Sequence, residues 1–211
     1  MSESQATETI TVYADYVCPF CYLGRKSLEQ YQARREEPLE IDWHPFDLRA
    51  GKRGPEGEID HSVDDGKDDE YFEQAKQNVE RLQERYDAEM AQAIATDVDS
   101  LPAQVASYYV KEHYPYDQWQ AFDVAIYDAL WTDGKDIGDE DLLVDLAEDA
   151  GVDGDEIRSA LDEETLREAV DAKFTEAQRQ RITGVPTFAY DGHAARGAVP
   201  PDQLKRLVEG Q

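Results

Sequence analysis

Apolar and polar residues alternate over Ile10-Thr11-Val12-Tyr13-Ala14, the period of a strand with one face in a core. This predicts a first strand over residues 9–15, behind a polar N-terminal tail of residues 1–8. The period then changes. Phe20, Leu23, Ser27, Leu28 and Tyr31 recur three and four apart, tracing one face of a helix that runs from Tyr22 to about Arg34. Glu37-Pro38 stops that helix, and Leu39-Glu40-Ile41-Asp42-Trp43-His44-Pro45-Phe46 alternates again as a second strand. Residues 47–69 are rich in Gly, Pro and Asp and read as a surface loop.

From about Tyr71 the pattern is helical almost to residue 181. Phe72, Ala75, Val79 and Leu82 form one stripe; Trp119, Phe122, Ile126 and Leu130 form another. Leu142, Leu143, Leu146, Ala147 and Ala150 form a third, stopped by Gly151. Asp153-Gly154-Asp155-Glu156 has the form of a helix N-cap, and Leu166, Val170, Phe174, Ala177 and Arg181 mark a last long helix. Strand signals return at Thr187-Phe188-Ala189-Tyr190. The turn Asp191-Gly192 and a partner strand His193-Ala194-Ala195-Arg196 complete a hairpin. Pro201 opens a terminal helix over residues 201–209. The order is β-α-β, a helical block, then β-β-α. Such an α/β chain folds into a four-stranded mixed sheet flanked by helices, with the helical block inserted between its halves.

Charge narrows the classes of partner. The 211 residues hold 48 Asp and Glu against 21 Lys and Arg, a formal charge of -27, yet 40% of them are hydrophobic, enough for a core. The acid excess is spread along the whole chain. Nucleic acid and anionic membranes are therefore poor partners, because both demand clustered Lys and Arg. Self-repulsion on this scale opposes compaction in dilute buffer, whereas at molar salt the Debye length is only about 3 Å. The composition points to a halophile. The N-terminus has neither a basic segment nor an apolar one, so it does not read as a signal peptide, no apolar run reaches membrane-span length, and a cytoplasmic location is expected.

The chemistry lies in the only two cysteines, in Asp15-Tyr16-Val17-Cys18-Pro19-Phe20-Cys21. A C-x-x-C at a strand-to-helix junction brings two sulfurs together where unpaired N–H groups and the helix dipole favour a thiolate. In a cytoplasmic protein such a pair is catalytic or metal-binding rather than structural. Zinc needs four ligands, and His44, His61, His113 and His193 show no paired spacing, so no metal is expected. A second signal is Ile182-Thr183-Gly184-Val185-Pro186-Thr187-Phe188, where Pro186 stands directly before the third strand and cannot donate to the sheet. Trp119, Phe122 and Ile126 read as core, and His44 and His193 as ordinary strand residues. Arg49, Lys52 and Arg53 read as solvated or paired with the acid excess.

These segments, together with Trp43-His44-Pro45-Phe46-Asp47-Leu48 and Asp136-Ile137-Gly138-Asp139-Glu140-Asp141-Leu142-Leu143, resemble the DsbA-like branch of the thioredoxin superfamily, in its FrnE-like subgroup. The resemblance spans nearly the whole chain. It implies a thioredoxin-like domain over residues 1–65 and 183–211, and a helical insertion domain over residues 66–182. It implies a thiol–disulfide oxidoreductase with no cofactor, acting on a disulfide- or thiol-containing protein or small molecule. Cys18 would be the exposed nucleophile, Cys21 the buried resolving thiol, and Pro186 a cis proline facing Cys18. Val185, Pro19 and Phe20 would meet the substrate. Thioredoxins carry a buried carboxylate six residues before the first cysteine; Val12 stands there in this chain, which leaves Asp15 as the candidate for proton transfer, against a bland reading as a capping or surface carboxylate. Family members often read Gly-Ala-Gln-Pro where this chain has Gly197-Ala198-Val199-Pro200, so a polar contact from that loop is not expected. The alternative within the superfamily is a thiol-cofactor-dependent isomerase or transferase of the hydroxychromene-carboxylate isomerase or kappa glutathione transferase type. Those proteins generally have serine at the first position and lack the second cysteine, so the intact pair favours redox chemistry.

The charge alone generates a prediction. The midpoint of chemical denaturation should rise strongly between low and molar KCl; a midpoint insensitive to salt would remove the reading of salt adaptation.

Overall fold

Strand β1, Glu8–Ala14, is the axis of the sheet. The computed structural model describes residues 7–210, so residues 1–6 of the expected polar tail lie outside the described residues, and Glu8 already belongs to the strand. β1 pairs in parallel with β2, Leu39–Pro45, with Val12 opposite Trp43. On its other side it pairs antiparallel with β3, Thr187–Tyr190, with Val12 opposite Phe188. β4, His193–Arg196, completes the order β2-β1-β3-β4 through a hairpin whose Asp191 and Gly192 both have positive φ, 45° and 76°. That is the geometry an Asp-Gly pair favours in a two-residue turn. The mixed four-stranded sheet and its β-α-β, β-β-α connection are those predicted.

Helix α1, Pro19–Gln32, starts where the sequence places it, with Cys18 in extended conformation as the cap and Pro19 in the first turn, ahead of the periodic stretch from Tyr22. No β-branched residue interrupts it. It lies over the face of the sheet that carries Val12 and Phe188. Gly24 is the point of closest approach: a Cβ there would stand 3.0 Å from the Pro186 ring and 3.1 Å from the Phe188 ring. Between β2 and β3 stand six helices: α2 (Asp69–Tyr86), α3 (Leu101–His113), α4 (Tyr116–Trp131), α5 (Glu140–Asp149), α6 (Gly154–Leu161) and α7 (Glu164–Arg179). α8, Pro201–Glu209, packs beside α1 and against β3 and β4. α7 packs on β2, where Glu176 faces His44 at 3.7 Å.

The helical block is less continuous than its periodicity predicts. α2 ends at Asp87, which takes a left-handed conformation with φ of 50°, and residues 87–100 form no helix. Their backbone bonds elsewhere: Ala91 N donates to Trp131 O at 2.6 Å. The turn at Gly151 has φ of 79°, and Asp153 caps α6 by accepting from Asp155 N and Glu156 N. One hydrophobic core runs from Ile10, Val12 and Phe188 of the sheet through Trp43 to Trp119, Phe122, Trp131 and Leu143 of the helices. Trp119, Phe122 and Ile126 are buried in it, as their spacing predicts.

A polar chain crosses this core. Arg25 of α1 forms an ion pair with Asp123 of α4, both almost fully buried. Asp123 also accepts from Tyr16 Oη at 2.8 Å, Tyr16 Oη lies 2.7 Å from Ser107 Oγ, and Trp119 Nε1 donates to Ser107 at 3.0 Å. A buried pair resists the loss of one member far more than the loss of both. Arg25→Met should therefore destabilise the fold by about 3–5 kcal/mol, and the double change Arg25→Met with Asp123→Leu should recover more than half of that loss. Denaturant titration of the three variants measures this; simple additivity would show that the two groups do not act as a unit.

Candidate active site

The site is built where β1 turns into α1. Cys18 N donates to Asp15 O at 3.1 Å, and Cys18 O accepts from Cys21 N at 3.0 Å and Tyr22 N at 3.3 Å. α1 has no side-chain N-cap and no acidic residue in its first turn, although α2, α5 and α6 are each capped by an aspartate and begin with acids. The positive end of this helix is thus left to the sulfurs. Both cysteines are free. Cys21 is 1% exposed and Cys18 only 5%, so the exposed nucleophile that the resemblance implies is instead largely covered. The cover is the segment before β3: Cys18 Sγ lies 3.7 Å from Val185 O.

That segment is fixed from several sides. The Val185–Pro186 peptide is cis, and Pro186 is buried against the bare face of Gly24. Thr187 Oγ1 donates to Gly184 O at 2.7 Å, and Gly197 N donates to Pro186 O at 2.8 Å. The loop at Gly197–Pro200, where no polar contact was expected, is bonded through its carbonyls. Ala198 O accepts from Tyr86 Oη at 2.6 Å and Val199 O from Ser27 Oγ at 2.6 Å. Beside the cysteines, Phe20 and Val185 are half-buried, whereas Pro19 is buried.

Asp15 is fully buried, not the surface carboxylate of the bland reading. Its Oδ1 accepts from Val17 N at 3.2 Å and from Ser100 Oγ at 2.5 Å, and its Oδ2 accepts from Leu48 N at 2.9 Å. Burial lifts its pKa to about 6 in spite of these bonds, and the nearby Asp47 charge adds to the rise. The Cys21 thiol is pushed well above its ordinary value by burial, then by Cys18 beside it; the Asp15 charge raises it further. Arg53, read from the sequence as solvated or paired, is paired. It bonds Asp47 Oδ2 at 2.6 Å and Asp99 Oδ1 at 2.9 Å, tying the loop after β2 to the start of α3. Arg49 donates to Ala95 O at 2.6 Å, and Lys52 lies 3.2 Å from Asp65. His44 is buried, its ring tilted at 37° against that of Tyr13 with centroids 4.6 Å apart, and its pKa is lowered by burial; His193 is exposed at the hairpin. No group of three or more His, Cys, Asp or Glu able to hold a metal ion exists among the described residues.

Two cysteines at a helix start beside a Val-Pro segment, on this sheet order, are accompanied by a match of residues 9–209 to the DSBA-like thioredoxin domain. The chain belongs to that family. Protein YwbO of Bacillus subtilis is 30% identical over 213 residues, covering 97% of this chain and 98% of its own. Among solved structures, a probable DsbA oxidoreductase from Streptomyces coelicolor superposes with a TM-score of 0.75 at 22% identity, over 96% of this chain and 90% of its own. A 2-hydroxychromene-2-carboxylate isomerase superposes with a TM-score of 0.73 at 21% identity, over 94% of this chain and 92% of its own. At these identities the two structures show a shared fold. No helix of the described residues is long and apolar enough to cross a membrane.

Several groups in this DSBA-like site have no local sequence signal. Ser100 and Leu48 come from segments distant in the chain, and the partner of Ser27, Val199 O, is equally distant. Arg25 could have been found, since it lies one helical turn beyond Cys21 and so shares its face of α1.

Asp15 gives the site a pH signature. Its folded pKa of about 6 exceeds the ordinary 3.8, so the native state holds its proton where the unfolded chain has released it. Its contribution is favourable below pH 4 and is lost as pH rises towards 6, a change of about 3 kcal/mol. Relative to Asp15→Asn, the wild type should lose stability on that order between pH 4 and 7. Parallel stability curves for the two proteins would show that Asp15 does not titrate as described.

Proposed function

We propose that this DSBA-like protein is a thiol–disulfide oxidoreductase that uses Cys18 and Cys21. The observation that carries the reading is the placement of two free thiols at an uncapped helix start, with Cys18 against the carbonyl of Val185. In the reductive direction the Cys18 thiolate attacks one sulfur of a substrate disulfide. A Cys18–substrate disulfide forms, the substrate S–S bond breaks, and the first substrate thiolate leaves with the electron pair and takes up a proton. Cys21 then gives its proton to the Asp15 carboxylate and attacks Cys18 Sγ. The Cys18–Cys21 disulfide forms, and the second substrate thiolate departs. Two electrons have passed from the pair to the substrate, and the same steps in reverse oxidise a dithiol.

Asp15 suits its role because a group of pKa about 6 is mostly ionised at neutral pH yet close enough to a buried thiol's range to exchange a proton with it. Phe20 and Val185 form the rim that a substrate meets, with the buried Pro19 and Pro186 beneath them. An extended peptide can align along the backbone of Val185 in the manner of an added strand. The substrate class is a disulfide- or thiol-containing protein or small molecule. The Streptomyces coelicolor neighbour, described as a probable DsbA oxidoreductase, supports the same chemistry. The FrnE-like assignment rests on the segments Asp15–Gly24, Trp43–Leu48, Asp136–Leu143 and Gly184–Phe188 taken as a set, and the salt-adapted origin on the net charge. The isomerase-type reading has support in the fold of the hydroxychromene-carboxylate isomerase, but it leaves Cys21 without a task.

Cys18→Ser should reduce disulfide-exchange activity to background. Cys21→Ser should instead accumulate a mixed disulfide on Cys18, visible by mass spectrometry. Full activity in Cys18→Ser would sink this function. Loss in Cys18→Ser with full turnover in Cys21→Ser would favour the isomerase or transferase reading.

A further inference from the structure

One buried hydroxyl near the site has no hydrogen-bond partner: that of Tyr127 on α4. It is not a spare member of the polar chain below it. Tyr16 gives its single hydroxyl hydrogen to Asp123 Oδ1, and Arg25 occupies Asp123 Oδ2. Ser107 Oγ lies 2.7 Å from Tyr16 Oη and accepts from Trp119. Tyr127 stands outside this chain of bonds, with a hydroxyl hydrogen to place. Burial of an unused hydroxyl is costly, and such a group marks a place where a partner is made in another state of the protein.

The packing of α1 on α4 says which partner. The two helices run antiparallel: Tyr22 Oη lies 3.2 Å from Thr132 Oγ1, and the Tyr22 ring stands 6.5 Å from that of Trp131 and 6.2 Å from that of Tyr127. Further along α1, Arg25 meets Asp123. One turn before Arg25 is Cys21, and one turn beyond Asp123 is Tyr127, each step being about 6 Å along its axis. The rung next to Arg25–Asp123 is therefore Cys21–Tyr127. After burial, the charge of Cys21 is the largest cause that lifts the Tyr127 phenol well above its ordinary pKa.

We propose that the Tyr127 hydroxyl, unpartnered while both cysteines are thiols, donates a hydrogen bond to the Cys21 sulfur when that sulfur ionises and positions it for the resolving attack on Cys18. Tyr127 keeps its proton throughout; the proton of Cys21 goes to Asp15, as in the proposed function on which this inference rests. The bond is made to the thiolate, so it favours the one charged state that a buried sulfur otherwise resists. Tyr127 is thus a positioning residue for the second half of the reaction and has no part in the first.

The test reads Cys21 directly. In a Cys18→Ser background Cys21 is the only cysteine, and the Cβ NMR shift of isotopically labelled cysteine reports its ionisation without substrate. Adding Tyr127→Phe keeps the ring and removes the donor. The midpoint should rise by about one pH unit, a tenfold drop in thiolate population at a given pH. Coincident midpoints overturn the proposal. If the phenylalanine variant does not fold, difluorotyrosine at position 127 serves in its place. It is a stronger donor of nearly the same shape and should lower the midpoint; no shift, or a rise, overturns the proposal. Because no turnover is measured, absence of disulfide-exchange activity would refute the proposed function and leave this result standing. With otherwise unsubstituted cysteines, Tyr127→Phe should slow resolution of the mixed disulfide about tenfold at neutral pH and move its pH profile upward, with the first attack by Cys18 unchanged.

Discussion

Everything around the two sulfurs depends on one buried carboxylate. Asp15 accepts hydrogen bonds from Val17, Leu48 and Ser100, and so joins the β1-to-α1 turn, the loop after β2 and the start of α3. These segments are far apart in the chain, and no other single group among the described residues bonds all three. Three donors are enough to hold a carboxylate in place but not enough to replace its water. Burial therefore still raises its pKa. A neutral side chain would tie the same segments at less cost. A destabilised carboxylate of this kind is typical of functional sites, and the proton transfer proposed for Asp15 would use the property that costs stability.

Charge has been sorted around this group. The chain has an acid excess of 27, yet the first turn of α1 holds no Asp or Glu. The other buried acid of the core, Asp123, is paired with Arg25, and Asp47 and Asp99 share Arg53. The acid load is carried mainly on exposed helix faces and at helix N-caps such as Asp68, Asp139 and Asp153, where dipoles and salt reduce its cost. Among the described residues, only Asp15 is left buried without a cation.

Much of this was legible in the residues. Alternation over Ile10–Ala14 and Leu39–Phe46 and the Asp-Gly hairpin specified the sheet, because a period of two leaves one face for the core. The spacing of Cys18 and Cys21 at a strand-to-helix junction located the site. What escaped was set by distance in the chain. The periodicity past Tyr71 could not show the break at residues 87–100, since the backbone there bonds to α4 rather than to itself, as Ala91 does to Trp131. The covering of Cys18 depends on a carbonyl 167 residues away. Asp15 looks like any turn aspartate until Ser100 and Leu48 are brought to it. Arg25 looks like a surface residue until Asp123 is found opposite.

The topology explains how such distant pieces meet. β3 lies directly against β1, so the Val185–Pro186 segment at the start of one strand falls beside the cysteines at the end of the other. The six helices between β2 and β3 leave and re-enter the sheet without disturbing that adjacency. They are nevertheless not passive. The start of α3 supplies Ser100 to Asp15, and α4 supplies Asp123 and Tyr127 to the face of α1 that bears Cys21. The sheet fixes where the two sulfurs stand, and the inserted helices supply their protonic surroundings. Changes in α3 and α4 can therefore alter the surroundings of Cys21 without moving the sulfur pair, a division of labour that allows one fold to carry different chemistry.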